Sequence, residues 1–323
     1  MISIKKIGIL VSISILFLAP LRAETRNSGF SISPIVGFLY GHAEEIVYKF
    51  PNRDLYFSEL LWDLKPLVLI GATVDYGPGD RFQYSGFISS LSLRYGLPFR
   101  TGIIENRDWL DLSHNNVTHY SRHDAFSRGV FLGDISAGYS WRLSDSLTLG
   151  AFLEFSYKRF SWSGRDGFIQ YPLYNPFGNY PPWNSDLPRH YDLFSGEVIR
   201  YTQNWFILSP GFSLMWKPLP LFTVAGNINY SPLIYCYARD LHVLRNITFH
   251  DYLSFGHYLK GSFDVLYSLA ENMDLSFMFS YSHITGTRGD AHVGAFRFRQ
   301  GAGAGYSAFG FEIAARIRLT GRN

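Results

Sequence analysis

The sequence predicts an all-β protein, a ten-stranded antiparallel transmembrane β-barrel with long extracellular loops. Three observations lead there. The chain is 47% hydrophobic and 18% aromatic, yet no interior stretch reaches the roughly 18 apolar residues of a membrane helix. Apolar and polar residues alternate with period two in several segments. Short turn signals take turns with longer polar stretches along the chain.

The composition narrows the class further. In lipid every backbone N–H and C=O must be bonded within the protein, so only helices and closed barrels cross. Without helical spans, the barrel remains. Charged residues make up 17% of the chain, below the rough quarter of soluble domains. A formal net charge of +3 is too small to argue for nucleic acid. Cys236 is the sole cysteine, so no internal disulfide forms, and it reads as an ordinary strand residue.

At the N-terminus, Lys5 and Lys6 precede an apolar run from Ile7 to Leu18. Pro20 breaks the run, and Leu21-Arg22-Ala23 offers a cleavage site. The run is too short to span a bilayer. Residues 1–23 are therefore expected to be a cleaved export signal, and 24–323 the barrel, a single domain.

The strands show themselves by their alternation. Phe131, Ile135, Tyr139 and Trp141 share one face, and Asp134, Ser136 and Ser140 the other. Leu259, Phe263, Val265 and Leu269 oppose Lys260, Ser262 and Asp264. Phe309, Phe311, Ile313 and Leu319 oppose Glu312, Arg316 and Arg318. A helix would scatter these charges, whereas a strand turns them all toward the lumen. Tight turns are expected at Gly77-Pro78-Gly79-Asp80, Ser144-Asp145-Ser146, Lys217-Pro218-Leu219-Pro220 and Ala270-Glu271-Asn272. Long polar loops are expected near 48–56, 100–125, 163–195, 242–252 and 285–300. Four turns and five loops give ten strands. Short turns belong in the periplasm and long loops outside.

The polar stretches carry the candidate chemistry. Asp240 and His242 are two apart on a strand, so they point together into the lumen. A carboxylate beside an imidazole fixes its tautomer and raises its basicity. Asp108 is placed to approach from the opposite wall at the same height. Such a set is able to hold and deprotonate one water without a metal.

The chain resembles the omptin family of outer-membrane proteases. The resemblance rests on Glu45-Ile46-Val47-Tyr48, Ser58-Glu59-Leu60-Leu61-Trp62, Asp108-Trp109-Leu110-Asp111 and Ser121-Arg122-His123. It continues through Tyr157-Lys158-Arg159-Phe160-Ser161, Gly164-Arg165-Asp166-Gly167, Asp240-Leu241-His242 and Gly301-Ala302-Gly303. It implies a ten-stranded aspartyl-type endopeptidase that cuts polypeptides at basic residues. Its catalytic set would fall on Asn106, Asp108, Asp240 and His242, with Asn106 standing where the family has an Asp. Glu105 is adjacent but would face the other way. Glu45 would bind a basic substrate side chain, and a second acidic pocket position falls on Ala238. Arg159 would contact lipopolysaccharide, and the family's other basic lipid contact falls on Asn204. The resemblance implies a monomer in the bacterial outer membrane, with its active-site end outside. It implies no cofactor and no metal, although lipopolysaccharide is a candidate requirement for activity.

A second reading stays open. Asn106 and Ala238 also suit an omptin-like barrel that is catalytically weakened or inactive and serves as a surface adhesin or binding protein. A small porin fits less well, because ten strands leave a narrow lumen filled by side chains.

Overall fold

The computed structural model describes residues 28–49, 55–111, 116–173 and 180–319. The expected export signal over 1–23 lies outside the described residues. Fourteen strands form one sheet: β1 (Ser28–Tyr48), β2 (Tyr56–Pro78), β3 (Gly86–Gly96), β4 (Arg100–Asp108), β5 (His119–Ser127), β6 (Val130–Ser144) and β7 (Leu147–Pro172) in its first half. The second half holds β8 (Arg189–Leu219), β9 (Phe222–Ser231), β10 (Ile234–His242), β11 (Ile247–Ser254), β12 (His257–Ala270), β13 (Met273–Val293) and β14 (Phe296–Leu319).

These fourteen segments are the ten expected staves, four of them interrupted. β3 and β4 form one stave, as do β5 and β6, β9 and β10, and β11 and β12. Each break has a backbone cause. Pro98 and Pro232 have no N–H to give a neighbour. Gly129 and Gly256 take φ of 123° and 131°, which L side chains rarely adopt. Pairing resumes on both sides of each break, and β14 closes the ring against β1 from Phe30↔Leu319 to Val47↔Ala302.

All four tight turns lie at one end. Ser28 pairs with Pro78 there. Lys217 N–H donates to the Ser146 carbonyl at 2.8 Å, and Arg318 N–H to the Asn272 carbonyl at 2.8 Å. The opposite end differs from expectation. Most of the polar residues in 100–125, 163–195, 242–252 and 285–300 are strand, not loop. β7 and β8 stay paired, through bulges near Arg165, as far as Pro172↔Arg189, and β13 and β14, through shifts near Thr287 and Ala291, as far as Val293↔Phe296. Polar sequence looks like loop, but above the lipid a strand needs no apolar face. Its cross-strand hydrogen bonds are enough.

The outer face is apolar near the turns. Phe30, Val36, Phe38, Ile135, Phe212 and Phe309 are all exposed there. This belt ends near Tyr40, Tyr95, Phe131 and Tyr235, and beyond it Arg122, Arg165, Arg200 and Arg239 take over the outer surface. β8 alone runs 31 residues, against about 9–11 needed to cross lipid. The upper barrel therefore stands clear of the membrane.

Inside, charges cross-brace the lower lumen. Arg94 reaches Glu312 at 2.7 Å and Asp134 at 3.4 Å, and Lys260 reaches Glu154 at 3.0 Å. Buried ions need such partners, since a lone one would cost several kcal/mol. Above them Trp62, Trp162, Tyr201, Phe160 and Tyr306 stack across the lumen. Trp62 lies 5.2 Å from Tyr201, and Phe160 lies 4.9 Å from Tyr306, centroid to centroid. These rings plug the barrel and form the floor of the cup above.

The alternation makes a test of the lipid face. Ile135 points outward at 54% exposure while its neighbour Asp134 points inward. Ile135→Arg is expected to destabilise the barrel by about 2–4 kcal/mol, the cost of a cation near the bilayer midplane. Urea titration of the refolded protein in lipid vesicles measures it. A change below about 0.5 kcal/mol would put this face outside the membrane.

Candidate active site

The cup above the aromatic floor gathers the expected residues. β10 has Ala238, Asp240 and the preceding even residues in its inward row, and His242 ends it. Asp240 is 2% exposed, and its Oδ2 lies 2.7 Å from His242 Nε2. With Nε2–H given to Asp240, the His242 Nδ1 carries the lone pair. Arg245 donates to that Nδ1 at 3.2 Å. It sits at the end of a 3-10 turn, Val243–Arg245, which joins β10 to β11.

The facing wall is β4, three staves into the ring where β10 is seven. Asp108 and Asn106 share its inward row and pair with Ser58 and Leu60 of β2. Ser58 Oγ approaches Asp108 Oδ1 at 2.6 Å and Asn106 Oδ1 at 3.0 Å. Asn106 Nδ2 donates to Asp108 Oδ2 at 3.3 Å. Both oxygens of Asp108 are thus held. Glu105 faces outward, bonded to Tyr120 Oη at 2.8 Å and Arg107 at 3.3 Å, so it does not replace the missing carboxylate at Asn106.

The electrostatics follow from burial. Desolvation raises the Asp108 carboxyl above the usual range, against the hydrogen bonds from Ser58 and Asn106 and the charges of Arg245 and His242. Burial also raises Asp240, opposed first by its bond to His242. Glu45, on the inward row of β1, is 4% exposed. It is pushed well up by burial and then by the negative charges of Asp240 and Asp251. Its Oε2 has no hydrogen-bond partner among the described residues.

The other expected residues fall in different places. Ala238 is fully buried in the cup wall. Arg159 is exposed on the outer face and pairs in register with Asn204. Ser121 and His123 point inward, but His123 Nδ1–H is given to the Asp166 carbonyl, so it does not join the Asp240 pair. Three residues escaped the sequence reading as site groups: Ser58, Arg245 and Asp251. Ser58 and Asp251 owe their places to cross-strand register, and Arg245 to a turn. No local signal marks any of them.

A closed barrel with an Asp/His pair and an opposing Asp in its polar mouth defines a bacterial outer-membrane barrel with a built site at one rim. The particular lineage follows from comparison. The Omptin family profile matches residues 26–300, and the chain belongs to that family. It is 21% identical over 255 residues to the plasminogen activator of Yersinia pestis, covering 78% of this chain and 75% of that one. Its fold is similar to the outer membrane protease OmpT from Escherichia coli, with TM-score 0.80 at 18% identity over 93% of this chain and 99% of that one.

The clasp on Asp108 has a checkable consequence. Ser58 donates to the ionised carboxylate, so Ser58→Ala should raise the Asp108 pKa further. Carboxyl carbon NMR on selectively labelled protein reads this directly. An unmoved titration would mean that Ser58 does not hold Asp108.

Proposed function

We propose that the chain is an endopeptidase of the outer membrane that cleaves polypeptides at basic residues, through a water activated by His242. One observation carries this reading: the 2.7 Å Asp240–His242 pair, set in a buried cup opposite Asp108. Family membership supports peptide hydrolysis in general, and the residues support the route.

A water held by Asp108, with Asn106 beside it, displaces Arg245 from His242 Nδ1 and gives its proton there. Its oxygen attacks the scissile carbonyl carbon. Asp240 stabilises the imidazolium that forms. The imidazolium returns the proton to the departing amine as the C–N bond breaks. Glu45 pairs with a basic substrate side chain, since a buried carboxylate binds a guanidinium or ammonium through charged hydrogen bonds. Arg159, exposed beside Asn204 just above the apolar belt, is placed to meet a lipopolysaccharide phosphate. The cup opens at the end opposite the tight turns, which supports an active site facing the extracellular side.

His242→Ala is expected to lower kcat by about 10²- to 10⁴-fold, the worth of a general base, with basic peptides as substrate and lipopolysaccharide present. Acidification acts in the same direction on both walls. Protonation removes the lone pair of His242, and Asp108, already raised by burial, loses its charge at a higher pH than a solvated carboxylate. Activity should therefore fall as pH is lowered. A rate that holds or rises on acidification would exclude His242 as the base.

Asn106→Asp tests the missing carboxylate. It should raise kcat while leaving the barrel folded by its gel mobility before and after heating. Fast wild-type cleavage with no gain from Asn106→Asp would show that one carboxylate on this wall suffices. No cleavage by either form, with lipopolysaccharide present, would replace the enzyme by the adhesin or binding barrel that Asn106 and Ala238 also suit.

A further inference from the structure

The cup contains more negative charge than the reaction uses. Glu45, Asp240 and Asp251 are 4%, 2% and 4% exposed. Asp240 is paired with His242, but Asp251 makes no side-chain hydrogen bond or ion pair among the described residues. Glu45 Oε2 and Asp240 Oδ1 are buried without partners. Burial, and then the charge of Asp240, push the Asp251 carboxyl up to about 7. Buried carboxylates normally come with a cation, and among the described residues none is held against Glu45 or Asp251.

Asp251 has a defined place. It lies on the inward row of β11, directly across from Ala238 of β10 and from Ala291 of β13. Residues facing each other across antiparallel strands have Cβ atoms about 4.5–5.5 Å apart. A carboxylate at 251 thus enters the cup one strand away from where a carboxylate at 238 would. The wall running from Asp251 round to Glu45 is made of small side chains. Gly289 pairs with Ala302, and Ala304 pairs with Glu45. Small residues leave room between the two acids, above the floor ring of Tyr201, which stacks on Trp62.

We propose that Asp251 is the second carboxylate of the pocket for the basic substrate side chain, acting with Glu45 across the space that Ala238 leaves open. This rests on the proteolysis reading above. The basic side chain enters over Ala238 and lies between Glu45 and Asp251. Its cation then lets both carboxylates stay ionised in a site where the empty pocket holds like charges together. The second pocket charge then comes from β11, directly across from Ala238 of β10.

The test uses the full chain, refolded with lipopolysaccharide, and two peptides that differ only by Arg or its neutral isostere citrulline beside the scissile bond. The quantity read is the ratio of their kcat/KM values. Asp251→Asn should lower the ratio about 10- to 100-fold, the loss of one charged hydrogen-bond partner. The double variant A238D/D251N should restore it, because the carboxylate returns one strand over. In parallel, argininamide binding to wild type and Asp251→Asn is measured by calorimetry. An unchanged ratio in an active enzyme overturns the role of Asp251 and leaves proteolysis standing. If nothing is cut, weaker argininamide binding by Asp251→Asn than by wild type keeps the pocket and removes the protease. Equal or absent argininamide binding in an inactive protein overturns both. A lowered ratio that A238D/D251N fails to restore overturns the pocket too, since a purely structural role for Asp251 would give that result.

Discussion

A backbone inside a bilayer has no water to bond to, and this one constraint shapes the whole molecule. Every N–H and C=O of the crossing segments must find a partner in the next strand, so the sheet has to close. Closure is achieved by β14 against β1. Once closed, each stave has two neighbours in fixed register, and each residue has a fixed wall and height. The four breaks at Pro98, Gly129, Pro232 and Gly256 interrupt staves without opening the ring, because adjacent strands carry the pairing past them.

The site depends on that rigidity. Its groups come from β1, β2, β4, β10 and β11, strands spread over residues 28–254. Ser58 and Asp108 are 50 residues apart, yet the hydroxyl sits 2.6 Å from the carboxylate because the strands pair there. The aromatic plug of Trp62, Trp162 and Tyr201 closes the cup below and lowers its dielectric. In such surroundings a carboxylate is costly to ionise and a matched charge is worth more than in water. Asp108, Asp240, Asp251 and Glu45 all show the consequence, with carboxyls raised by burial.

Two substitutions in the expected pattern look like losses when taken singly, and the structure gives each a context. Asn106 lacks a charge, but its amide donates to Asp108 while its carbonyl faces Ser58. It has become part of the clasp that orients the one remaining carboxylate. Ala238 lacks a charge as well, but it faces Asp251. Neither residue is understandable without its partner on the next strand. A barrel offers such exchange readily, since a side chain moved to the opposing position on a neighbouring strand still enters the same lumen.

Period two was enough to assign faces. It put Asp134, Lys260 and Glu312 inside and Phe131, Leu259 and Phe309 outside, and the structure keeps them there. The turn residues were enough to count ten staves and to put Pro78, Asp145, Pro218 and Asn272 near one end. The same-face rule put Asp240 beside His242 and turned Glu105 away. All of these follow from local geometry, where a residue's own neighbours decide the outcome. Where the polar stretches stop being strand was not legible, because above the lipid hydrogen bonding replaces apolar burial and leaves no mark in composition. The 50-residue contact of Ser58 with Asp108, the meeting of Asp251 with Ala238 and the approach of Arg245 to His242 were not legible either. Register and turn geometry made those contacts, and register belongs to pairs of strands, so only the closed barrel could decide them.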